Sequence, residues 1–184
     1  MKRLLWVLMS LLYMSVMESC QFDNIRHKLS KMYGSKIDLS VSEMMMVMPD
    51  ETYADRVNTE GMKLVVYSDT SDCSQCYINH LNLWNEMLAL EDSFPRFSLV
   101  FIIEARDGEC NTLKRLLEQS GLRHSVFMDV NSSFRRKNSH LPQESFFHTF
   151  LINEKNEVCL VGDPLRNEAI EKMLLDALHE KGHP

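Results

Sequence analysis

The sequence predicts an α/β domain built on a central mixed β-sheet flanked by helices, with an N-terminal extension ahead of it. Three observations carry that expectation. From Met62 onward, apolar β-rich runs alternate with stretches of helical period, as they do when parallel strands are joined by crossover helices. "FFHTFLIN" and "EVCLVG" flank Glu154, Lys155 and Asn156 and read as an antiparallel hairpin. "RNEAIEKMLLDALHEK" is an amphipathic closing helix.

Taken in order, "MKLVVYS" is the first strand of the domain. Cys73 to Leu90 follows a helical period, with Ile78, Leu81, Trp84 and Leu88 on or near one face. "FSLVFIIEA" is a nearly continuous apolar run of the kind buried on both faces of a sheet. "NTLKRLLEQSG" predicts a helix closed by Gly121, and "HSVFMDV" a short strand. A polar stretch containing Pro142 follows, in which Arg135, Arg136 and Lys137 read as a solvated loop. The order is β-α-β-α-β-β-α. Upstream, "DNIRHKLSKMYG" has helical spacing through Ile25, Leu29 and Met32, with Gly34 to end it. "KIDLSV" alternates like a strand, and "SEMMMVMPDE" follows it. No linker composition or internal repeat separates these segments. The expected organisation is a leader over 1–19, an extension over 20–61 packed on the main domain, and the domain itself over 62–182.

The leader is a targeting signal and no part of the fold. Lys2 and Arg3 form a positive start, and Leu4 to Val16 is an apolar stretch shorter than the roughly 20 residues a bilayer span needs. Ser19 immediately before Cys20 resembles a bacterial lipoprotein cleavage site, which would make Cys20 the lipidated N-terminus. Glu18 and Met17 are unusual residues for such a site. Loss of Lys2, Arg3 and Glu18 takes the formal charge from −6 to −7. An acidic body of that kind has no electrostatic attraction to anionic lipid or to nucleic acid. The lipid would hold the protein to the membrane, with the folded part in the cell envelope outside the cytoplasm.

Apart from Cys20, the cysteines are Cys73, Cys76, Cys110 and Cys159. An exported chain of 184 residues has length enough for a full core and needs no disulfide framework. The close pair Cys73-Ser-Gln-Cys76 is better explained by chemistry. It follows a strand and opens a helical stretch, where free N–H groups and the helix dipole favour an anion. Cys73 is therefore the expected attacking thiolate. Cys76, one turn further on, is the expected resolving thiol.

The order of strand, C-x-x-C, helix and strand resembles the thioredoxin-like superfamily, and the hairpin and last helix strengthen the likeness. More narrowly, "YSDTSDCSQC" with "FFHTFLINEKNEVCLVGDP" is similar to exported, lipid-anchored thioredoxin-like proteins of bacteria whose roles are mostly undefined. The resemblance covers about residues 62–182. It implies a thioredoxin-like fold and thiol–disulfide exchange with a protein disulfide or dithiol in the cell envelope. No bound cofactor is implied. Three features depart from the family pattern, one being that Ser74 and Gln75, and no proline, lie between the cysteines. Asp72 stands where a tryptophan is usual and sets a carboxylate beside the attacking sulfur. Phe147 falls where the family has a cis-proline, and a cis bond before phenylalanine costs about 3 kcal/mol, so a trans bond is expected there. Pro142, five residues earlier, could stand in only through a rearranged loop.

These departures keep open a redox-inactive binding or scaffold protein on the same fold. Two further readings compete for the same residues. Thr70 and Cys73 fit the T-x-x-C of thiol peroxidases, but Val66 stands where that motif has proline. Cys73, Cys76 and His80, completed by His140 or His148, have spacing compatible with zinc. Met44, Met45, Met46 and Met48 are soft ligands suited to copper, although neighbouring strand residues point to opposite faces. Histidine in solvent or capping a helix, and methionine as packing, are the simpler assignments. Cys159 reads as a small buried apolar residue of the hairpin, and Cys110 as a partly exposed residue near a helix start.

Overall fold

The computed structural model describes residues 23–47, 61–70 and 77–182. Six strands form one sheet: β1 (Met45–Val47), β2 (Met62–Ser68), β3 (Phe97–Glu104), β4 (Val126–Asp129), β5 (Thr149–Ile152) and β6 (Val158–Val161). Their spatial order is β1-β4-β3-β2-β5-β6. The central strands β2, β3 and β4 run parallel, while β1, β5 and β6 are antiparallel to their neighbours. The helices are α1 (23–32), α2 (Leu88–Ser93), α3 (Cys110–Gln119), α4 (Ser133–Lys137) and α5 (Glu168–Gly182).

β2 and β3 are buried at every position, which is why their sequences are aliphatic runs with no polar alternation. Side chains on the two faces feed two cores. One face carries Leu64, Val66, Leu99, Phe101 and Ile103. It packs against Trp84, Leu113, Leu117, Leu174 and Leu178. The pairs Leu113–Leu117 and Leu174–Leu178 are each four apart, one helical turn, so α3 and α5 each offer one apolar stripe. The opposite face carries Val65, Tyr67, Val100, Ile102 and Phe127, covered by Met32 and Ile37 of the N-terminal segment and by Phe134 of α4.

Several local expectations change. The helical period over Cys73–Leu90 resolves, within its described part, into helical residues 77–78, a 3-10 helix at Leu81–Glu86 and then α2. Asn79, Asn82 and Asn85 are poor helix formers because their amides compete for backbone groups. Asn85 shows it: its Nδ2 donates to Gly121 O (2.8 Å) and its Oδ1 accepts from Arg123 N–H (2.9 Å). "KIDLSV" is not a strand. Lys36 makes a single bridge to Glu157, and Asn138 replaces a strand partner by accepting from Asp38 N–H (2.9 Å) and donating to Asp38 O (2.8 Å). The strand of this region is β1, within the methionine-rich stretch, added antiparallel to β4. Arg135, Arg136 and Lys137 are helical in α4 and do not form a loop, because Phe134 is fully buried and anchors that turn.

The entry to β2 depends on Gly61. Its φ is +102°, and a Cβ there would lie 2.1 Å from the carbonyl oxygen of Arg96, which accepts the Met62 N–H (2.8 Å). Gly61→Ala is therefore expected to destabilise the fold by about 3 kcal/mol, read as a lower urea midpoint at unchanged slope.

Candidate functional site

Parallel strands end together, and the chain segments leaving them gather at their C-terminal edge. Here that edge is formed by Ser68, Glu104 and Asp129, with Glu104 and Asp129 paired in register. The chain leaves β2 through Asp69 and Thr70 and resumes as helix at Tyr77 and Ile78. Residues 71–76, with Asp72, Cys73 and Cys76, lie between these points in sequence and outside the described residues. Cys20 and Met48 also lie outside them. Ile78 is fully buried against the core, which anchors the helical segment immediately after the pair.

A buried polar cluster underlies this edge. Tyr67 and Glu104 are both almost inaccessible, and the phenol donates to Glu104 Oε2 at 2.8 Å. Burial, then the hydrogen bond and charge of Glu104, push the phenol far above the ordinary tyrosine value, so it stays protonated and remains a donor. Its ring packs on Phe134 (centroids 4.7 Å apart) and His148 (5.0 Å). His148 contacts Pro142 O through Nε2 at 3.0 Å. A carbonyl can only accept, so that nitrogen carries the proton. Arg135 Nη1 donates to the same carbonyl at 3.2 Å. Arg106 reaches across to the Thr70 carbonyl and holds the exit from β2.

The turn ahead of β5 is fastened to the same place. Tyr67 N–H donates to His148 O at 2.9 Å. Phe147 occupies a 3-10 turn (Ser145–Phe147) and is fully buried, with the tilted ring of half-exposed Phe146 against it at 4.2 Å between centroids. No cis peptide bond occurs among the described residues, so the bond before Phe147 is trans, as expected. Pro142 braces Arg135 and His148 through its carbonyl, and it too is trans.

The candidate metal ligands within the described residues do not converge. Among those residues, no group of three or more His, Cys, Asp and Glu side chains is placed to hold a metal ion. His80 and His140 are exposed, and His148 is buried with Nε2 engaged. Met45 and Met46 are half exposed on β1, and Met44 is packed at the edge of the second core. Cys110 opens α3 and is partly exposed, as expected. Cys159 differs from expectation: its β6 site leaves it partly exposed, and its thiol approaches Leu151 O at 3.5 Å. The Cys110 thiol is free. Tyr67 and Glu104 escaped the sequence reading. Their one signal is that each is a polar group at the inward end of an otherwise aliphatic run.

No family model matches the sequence, and no curated protein does. The fold, in contrast, has solved counterparts. A candidate thiol:disulfide interchange protein, DsbE, from Chlorobium tepidum superposes with a TM-score of 0.51 at 20% identity, over 79% of this chain and 97% of that one. A thioredoxin-like protein in its oxidised form superposes with a TM-score of 0.51 at 13% identity, over 82% and 98%. The chain has the thioredoxin-like fold, with a mixed six-stranded sheet flanked by helices.

Proposed function

We propose that this protein is a thiol–disulfide oxidoreductase that exchanges disulfides with an exported protein through Cys73 and Cys76. The observation that carries the reading is one of position. In a thioredoxin-like fold, a C-x-x-C falls in sequence between the C-terminal end of the central strand β2 and the helical residues 77–78. Loops at that edge are where parallel α/β sheets place their chemistry.

In the proposed reaction the Cys73 thiolate attacks one sulfur of a partner disulfide. A Cys73–partner disulfide forms and the partner's other sulfur leaves as thiolate. The Cys76 thiolate then attacks the Cys73 sulfur. The Cys73–Cys76 disulfide forms and the partner is released as a dithiol. The same steps reversed oxidise a partner dithiol. Reducing equivalents to reset the pair come from a second dithiol, in the membrane or free. Cys20 is the proposed lipidation site, and it would hold the domain to the membrane from outside the cytoplasm. Among the described residues no helix is long and apolar enough to cross a membrane, so any attachment in this reading rests on the leader and its lipid.

Capturing the half-reaction tests this. Cys76→Ser is expected to accumulate a covalent adduct between Cys73 and an envelope protein, visible as a band lost on reduction and identifiable by mass spectrometry. The double variant Cys73→Ser/Cys76→Ser is expected to show none. An equal yield of adducts from both variants would defeat the proposal.

One observation favours a second reading, a binding protein that retains the fold without the exchange. Phe147 fills the place of the family's cis-proline with a buried trans residue, which leaves Phe146 as the exposed aromatic of that turn. A Cys73 titrating near the free-cysteine value of about 8.5, with no turnover of a model disulfide, is the outcome this reading expects.

A further inference from the structure

A cavity of about 500 Å³ lies on the second face of the sheet, toward the N-terminal end of β2 and away from the edge that leads to Cys73. Its walls are the irregular segment over 36–41, the β2–β3 face and the end of α4. Val100 and Ile37, both fully buried, form apolar wall, joined by Leu39 and Val41. Lys63 stands in this wall with 3% of its surface exposed.

The ammonium of Lys63 is poorly compensated. It donates to Gly61 O at 3.0 Å and, at the limit of a hydrogen bond, to Asn156 Oδ1 at 3.4 Å. Among the described residues these are its two acceptors for three N–H bonds, and neither is a carboxylate. Glu154 is near enough to favour its charge but is ion-paired with Arg96 (2.8 Å). Burial lowers the ammonium's pKa despite Glu154. A cation taken out of water is costly unless an anion meets it. Two more lysines border the same space. Lys36 is exposed, and Lys137 is tied to Glu43 and to the Ser40 hydroxyl (2.7 Å). The bordering acid is Asp38, exposed and engaged by that Ser40 hydroxyl.

We propose that this cavity binds a small aliphatic carboxylate, its carboxylate on Lys63 and its chain against Val100, Ile37 and Val41. A single buried ammonium suits a monoanion. The apolar part of the wall is aliphatic, and the lining holds no guanidinium fork of the kind that fits phosphate. The volume lies in the range of small-molecule sites. The proposal stands independently of the dithiol chemistry, since it uses none of the same residues.

Octanoate and octanol, titrated into the full chain with labelled isoleucine and valine methyls, test it. Octanoate is expected to shift the methyl signals of Ile37, Val41 and Val100 saturably, with octanol binding at least about tenfold more weakly. Lys63→Met is expected to weaken octanoate about tenfold, while Lys172→Met, on the exposed side of α5, leaves it unchanged. The proposal fails if octanoate up to about 5 mM leaves those methyls unmoved, or if octanol matches it. It fails equally if folded Lys63→Met binds octanoate as well as the parent. Should Lys63→Met not fold, the octanoate–octanol comparison on the parent chain decides alone.

Discussion

Cys73→Ser is expected to lower reduction of a model protein disulfide by on the order of a thousandfold or more, because serine supplies no thiolate to attack sulfur. Cys76→Ser is expected to behave differently. It removes the proposed resolving thiol, so turnover is expected to stop while the first attack survives, leaving a single-turnover burst of one released partner thiol per chain. The pair of variants separates attack from resolution, which loss of activity alone does not. The measurement is stopped-flow thiol release under single-turnover and multiple-turnover conditions. A burst from Cys73→Ser and none from Cys76→Ser would exchange the two roles. No loss in either variant would remove the dithiol from the chemistry altogether.

Asp129→Ala is expected to cost about 3 kcal/mol or more of stability, the largest loss predicted for a side chain away from the dithiol. The carboxylate is almost fully buried and accepts from Asn131 N–H (3.3 Å), Ser133 N–H (3.0 Å), the Ser133 hydroxyl (2.9 Å) and Phe134 N–H (2.7 Å). Alanine leaves the first N–H groups of α4 without their acceptor in a buried setting. α4 in turn carries Phe134 against Tyr67 and Arg135 against the Pro142 carbonyl, so loosening it disturbs the polar cluster below the candidate site. The expected shift in thermal midpoint is roughly 10 °C. Asp129→Asn keeps one acceptor oxygen but turns an NH2 toward one of these donors, and it should recover only part of the loss. Equal midpoints for the parent and Asp129→Ala would show that water serves these N–H groups as well as the carboxylate does.

The two positions differ in how they were found. Cys73 and Cys76 stand out in the sequence because a spacing of two residues at a strand-to-helix junction is a local pattern. Asp129 looks like an ordinary acidic residue after a strand. Its role becomes visible only once the chain turns through Ser132, at φ +50°, and brings three N–H groups onto its carboxylate. The same holds for Tyr67 and Glu104, which are 37 residues apart and meet because β2 and β3 lie side by side. Phe147 is intermediate. Its place just ahead of the last hairpin was readable from the strand that follows it, whereas its full burial was not.

By itself the sequence determined the layered α/β architecture, the parallel order of the central strands, the hairpin and the location of the C-x-x-C between strand and helix. These depend on apolar period and on close neighbours, which a linear chain displays directly. Tertiary structure decided which strand joins the sheet from the N-terminal segment, how the helix after Cys76 breaks into shorter turns, and which buried polar groups pair. It also decided that Lys63, a charged residue in an aliphatic strand, lines a cavity. Each of these turns on contacts between residues far apart in the chain, where burial and hydrogen-bond satisfaction outweigh local preference.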